Sequence, residues 1–132
     1  MDHRIMQFAQ EARAWAEKIA PEKGHPKELG GMCALASAKL SQLLHRAEIP
    51  HRICMASERS WCHVFITHDD HIIDVTATQF AEYNDTPILV IHERLAAKNW
   101  FHTIVQTFDN HRQLRRVQRR DRWPSNQIAM LK

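Results

Sequence analysis

No stretch of this sequence stays apolar for long. Strongly hydrophobic runs such as Ile88-Leu89-Val90-Ile91 fall far short of the about 20 residues that a membrane-spanning helix needs. No export signal is expected either, since Met1-Asp2-His3-Arg4 leads straight into an amphipathic pattern. Both absences lead to the expectation of a soluble, cytoplasmic protein with no membrane partner. Cysteine is scarce: Cys33, Cys54 and Cys62 are an odd number, match no disulfide framework and include no Cys-x-x-Cys pair. They are expected as free thiols. Acid is short in one region only. Between Arg112 and Arg122 six arginines stand against the single Asp121, a local balance of +5 in a chain of net charge +3, which leaves −2 for the remainder.

What is present suits one globular domain with one core: 132 residues, 44% of them hydrophobic. Ile5, Phe8, Ala9, Ala12, Trp15, Ala16 and Ile19 recur at helical spacing until Pro21 and Gly24. Residues 21–31 read as a loop. From Cys33 the positions Ala36, Leu40, Leu43, Leu44 and Ala47 repeat the period, which Ile49-Pro50 stops. Cys33 is in phase with that apolar stripe, so its sulfur is expected to point toward whatever the helix packs on. Strands are expected over 51–56, 61–67, 71–75 and 87–91. Residues 95–108 fit either a helical stripe (Trp100, Phe101, Ile104, Val105, Phe108) or a strand around Thr103-Ile104-Val105. The four tryptophans suffice equally to line a cleft or to fill a core.

The short polar turn His68-Asp69-Asp70-His71 makes the second and third strands an antiparallel hairpin. With Asp69-Asp70 as the loop, Ile66 faces Ile73, Phe65 faces Asp74, and His63 becomes a diagonal neighbour of Asp74 on the same face. A three-residue loop would send Asp74 to the other face. The same alternation puts Cys62 with Val64 and Ile66, where it is expected as a small buried apolar residue, and leaves Cys54 mid-strand without a base.

Cys33, His63 and Asp74 therefore stand in the order nucleophile, base and orienting acid. A thiol attacks as thiolate, which a helix N-terminus and a neighbouring histidine favour. Taken singly, each has an ordinary explanation as core filler, strand residue or turn residue; the order and register together carry the catalytic reading. Histidines and cysteines also crowd residues 51–71 (His51, Cys54, Cys62, His63, His68, His71), but their spacing lacks the tight pairs of a zinc site, and neither metal nor other cofactor is expected.

Three stretches carry a resemblance: Gly31-Met32-Cys33-Ala34-Leu35-Ala36-Ser37, Cys62-His63-Val64-Phe65-Ile66, and Ile72-Ile73-Asp74-Val75-Thr76-Ala77-Thr78-Gln79-Phe80. In that order they resemble the transglutaminase-like branch of the papain-like cysteine hydrolases, over roughly residues 30 to 92. The resemblance implies an α+β domain with N-terminal helices packed on a small antiparallel sheet, and hydrolysis or acyl transfer at an amide of a protein or peptide substrate through Cys33, His63 and Asp74. The glutamine that papain-like peptidases carry ahead of the cysteine is absent, because residues 26–32 are Pro-Lys-Glu-Leu-Gly-Gly-Met. Trp61 and Gln79 are the candidates for the missing oxyanion donor, beside the backbone N–H of Cys33.

A competing reading uses the tail. A helix over 109–121 with Leu114 and Val117 as its apolar contacts would display Arg112, Arg115, Arg116, Arg119 and Arg120. Such a surface suits nucleic acid phosphates or an acidic protein partner, without any sequence-specific motif.

Overall fold

The computed structural model describes residues 1–58, 61–96 and 104–128, the side chains of Glu58 and Trp61 excepted. Helix α1 (Ile5–Ile19) buries Ile5, Ala9, Ala12 and Ala16, with Phe8, Trp15 and Ile19 half-buried along the margins of the same stripe. It gives way at Pro21, whose ring cannot continue a helix, to a single turn over Pro21–Lys23 that ends on left-handed Gly24 (φ 75°). Gly31 (φ 84°) lies under the His25 ring, where a Cβ would come within 2.7 Å of Nδ1; only glycine permits this approach, two residues before Cys33.

Helix α2 (Cys33–Arg46) has ten buried residues out of 14, more than one face can account for. It is the central helix, packed on α1, on the sheet and on a C-terminal helix. Its buried hydroxyls are used as pins. Ser37 Oγ donates to the Val64 carbonyl at 3.0 Å, while Ser41 Oγ bonds His51 Nε2 at 2.7 Å and accepts the His111 N–H at 2.9 Å.

The strands are β1 (Arg52–Glu58), β2 (Trp61–His68), β3 (His71–Asp74), β4 (Leu89–His92) and β5 (Ile104–Phe108). They form one sheet of order β4-β3-β2-β1-β5, antiparallel throughout. The β2–β3 turn has Asp69 and Asp70 both at positive φ (49° and 61°), the geometry of a two-residue hairpin loop. Ile66 accordingly faces Ile73, Thr67 faces Ile72 and His68 faces His71, the register expected from the sequence. Ile53, Val64, Ile66 and Ile73 pack against the helices, and Cys54, Ala56, Phe65 and Ile72 line the other face with Ala77, Leu89 and Ala96.

A short helix, α3 (Glu93–Ala96), follows β4 directly. Within the ambiguous stretch, Ile104 and Val105 are strand residues of β5, whereas Trp100 and Phe101 lie outside the described residues. Helix α4 (His111–Arg120) starts at Asn110, whose Oδ1 accepts the N–H groups of Arg112 and Gln113. The architecture is α+β, with N-terminal helices on an antiparallel sheet and a basic C-terminal helix. No helix among the described residues is long and apolar enough to cross a membrane.

Candidate active site

Pairing of β2 with β3 reaches Ile66↔Ile73, and one step further sets Phe65 opposite Asp74, with His63 diagonal to it. The two side chains meet in the interior: His63 Nε2 lies 2.6 Å from Asp74 Oδ2, and both residues are only 1% exposed. The other carboxylate oxygen is engaged as well. Asp74 Oδ1 accepts the Thr76 N–H at 2.9 Å and the Thr76 hydroxyl at 3.3 Å, a local turn that fixes the carboxylate plane.

The His63 ring is walled by Phe80, edge-on at 4.8 Å between centroids, and by Phe65, nearly parallel at 6.2 Å. With Nε2 committed to Asp74, Nδ1 is the ring atom that meets the other polar neighbours. The Gln79 amide approaches it at 3.3 Å and is itself held by the Thr76 carbonyl at 3.1 Å. Cys33, at the start of α2, lies close enough to the imidazole to act on its charge. Burial disfavours a charged His63, yet the charge and hydrogen bond of Asp74, followed by those of Cys33, outweigh it and hold the pKa above its ordinary 6.5. Half-buried His111 on α4 is shifted the other way, pushed down to about 4 by burial and then by the charges of His45, Arg112, His51 and Arg46.

Cys33 is the first residue of α2 and is half-buried. Met32 at the N-cap supplies no side-chain acceptor to the first N–H groups of the helix, in contrast to Asn110 on α4. The other thiols separate clearly. Cys54 is buried, with its Sγ 3.6 Å from Thr67 Oγ1, and burial pushes its thiol up. Cys62 corrects an expectation: it is exposed. Ser37 is bonded above Val64 and α2 begins only one turn earlier, so the helix runs out where Cys62 would need cover.

Trp61 belongs to β2 by its backbone, and its side chain lies outside the described residues. Gln79 sits against the imidazole. The crowded histidines disperse: His51 bonds Ser41 and the Ile49 carbonyl, His68 the Pro50 carbonyl, and His71 the Asp69 carbonyl. Among the described residues no group of three His, Cys, Asp or Glu side chains could hold a metal ion.

Two supporting residues carried no signal of their own in the sequence. Arg13, on the margin of α1, donates to the Val75 carbonyl at 3.0 Å and to Thr78 Oγ1 at 2.8 Å. Thr78 in turn donates to the Glu28 carbonyl at 3.2 Å, which ties the loop before Cys33 to the segment after Asp74. At the other end of the chain, α4 buries Leu114 and Gln118, with Val117 half-buried, and exposes Arg112, Arg116, Arg119 and Arg120. Arg115 is half-buried, and its Nε is buried without a partner. Comparison with protein-family models, with curated proteins and with solved structures finds no significant match for this chain.

Proposed function

We propose that the chain is a papain- and transglutaminase-like cysteine hydrolase or acyltransferase that acts on an amide, in a peptide or a glutamine side chain. The observation that carries this reading is the buried His63–Asp74 pair at 2.6 Å, with Cys33 near enough to that imidazole to help raise its pKa. Cys33 attacks the carbonyl carbon as thiolate, and His63 protonates the leaving amine or ammonia from Nδ1. Asp74 keeps the Nε2 proton in place and stabilises the imidazolium, which is the division of labour of a catalytic triad. Neutral His63 then takes a proton from water, for hydrolysis, or from an amine, for transfer, as the thioester is cleaved. The developing oxyanion is met by the Cys33 N–H at the start of α2, where no side chain competes for it. Trp61 and Gln79 remain the candidate second donors, and no cofactor enters these steps.

Iodoacetamide competition near pH 6, read by peptide mass spectrometry, tests the nucleophile. Cys33 is expected to label well ahead of Cys54 and Cys62, and His63→Ala to slow it by about tenfold or more. Equal, slow labelling of all three would overturn the reading.

The exposed arginines favour a second role. Arg112, Arg116, Arg119 and Arg120 project from α4, with Arg120 paired to the C-cap Asp121 at 2.9 Å, a predominantly basic surface suited to nucleic acid or an acidic protein partner. Replacing Arg112, Arg116, Arg119 and Arg120 by alanine should weaken binding to a nucleic acid duplex and flatten its salt dependence, by about 0.9 in logarithmic slope for each phosphate that is no longer neutralised. Unchanged affinity and slope would remove this reading.

A further inference from the structure

Cys62 has no part in the acyl chemistry, yet its position is not neutral. The Ser37–Val64 bond at 3.0 Å seats α2 along β2. Cys33 lies one helical turn before Ser37. Cys62 lies two residues before Val64 and shares the strand face that packs toward α2. The Ser37–Val64 bond therefore brings the start of α2 to the end of β2 that holds Cys62, and Cys33 is near enough to act on both His63 and Cys62. Each is the first or second residue of its element, and Gly30-Gly31 precedes Cys33. Solvent reaches both thiols, whereas Cys54 is buried on the opposite sheet face and bonded to Thr67.

The pair is chemically asymmetric. Cys33 has the His63 imidazole beside it. Cys62 has none: loss of solvent around its sulfur and then the charge of Cys33 push its thiol up, which keeps it protonated while its neighbour reacts.

We propose that Cys33 and Cys62 form a redox pair in which a hydroperoxide oxidises Cys33 and Cys62 resolves the product as an intramolecular disulfide, switching the nucleophile off. The idea rests on the reading of Cys33 as the reactive thiol. In the first step Cys33 thiolate attacks the peroxide, an S–O bond forms, the O–O bond breaks, and the departing alkoxide or hydroxide takes a proton, leaving a sulfenic acid. In the second step Cys62 gives up its proton and attacks the sulfenic sulfur, the S–S bond forms, and the oxygen leaves as water. Two thiols lose two electrons, and the hydroperoxide becomes an alcohol or water plus one further water. A dithiol reductant reverses the disulfide, whereas a sulfinic acid, the next oxidation product of an unresolved cysteine, is not reversed.

The test is peroxide treatment of the full-length protein, followed by blocking of free thiols and non-reducing peptide mapping. A peptide joining Cys33 to Cys62 is expected, with loss of iodoacetamide labelling at both and its return after dithiothreitol. Cys62→Ser should instead lose Cys33 labelling irreversibly, with sulfinic acid at Cys33. Fast labelling of Cys33 in the reduced protein, combined with the same irreversible product in wild type and Cys62→Ser, overturns the redox pair and leaves the nucleophile intact. Slow labelling of Cys33 together with no joined peptide overturns both.

Discussion

His63 is a residue in an expensive place. An imidazole at 1% exposure should shed its proton, and it is the Asp74 carboxylate at 2.6 Å, then Cys33, that reverse the sign. The consequence for stability follows from which state binds the proton. The folded chain holds a proton that the unfolded chain releases near pH 6.5, so this stabilisation is complete below that value and is lost as pH rises through the raised folded value. Urea unfolding above pH 6.5 should therefore show stability falling, by at most about 1.4 kcal/mol per pH unit from this group. Asp74→Asn should flatten that slope; equal slopes in both proteins would contradict the assignment. Much of this pair was legible in the sequence, because strand alternation and an even turn are discrete, and together they place His63 and Asp74 on one face. Cys62 was misread by the same rule. Alternation gives the face of a strand but not how far the covering helix extends, and α2 starts too late to bury it.

Between the elements, the site depends on one side chain from α1. Arg13 clamps the segment that carries Thr76, Thr78 and Gln79, and Thr78 passes the restraint to the loop before α2. Its side chain is only 11% exposed, so its hydrogen bonds count more than those of a surface arginine. Arg13→Ala should cost about 2 kcal/mol in urea unfolding, the usual size for hydrogen bonds to a charged group, and should slow Cys33 alkylation although it touches neither Cys33 nor His63. Unchanged stability would show that the segment is held some other way. Nothing in the helical period announced this role. Periodicity reports which face of α1 is buried, and Arg13 sits on the margin of that face, with partners 62 and 65 residues away in sequence.

The molecule as a whole is built on a central helix and a sheet in which β1 to β4 pair in chain order, β3 reaching β4 through a longer connection with two short 3-10 turns, before the chain returns to pair β5 with β1. Of these pairings the β2–β3 hairpin was readable from its short polar turn. The return was not, because the pairing of β5 with β1 is long-range and residues 103–105 suit a strand and a helix stripe equally well. The layout puts the start of α2 near the end of β2 and brings the second and third sequence motifs together at the His63–Asp74 pair. The basic face of α4 is a separate feature, away from the His63–Asp74 pair in sequence and element.

The central claim is that Cys33 forms an acyl-enzyme which His63 and Asp74 help to make and break. It is tested most directly by rapid mixing with an activated acyl ester, with release of the leaving group followed optically and the acyl adduct mapped by mass spectrometry. The account predicts a burst of one equivalent per chain with the acyl group on Cys33, then slower turnover, with His63→Ala losing the turnover and Cys33→Ser losing the burst. Acyl groups spread over Cys62 and lysines, with no burst and no turnover, would contradict it.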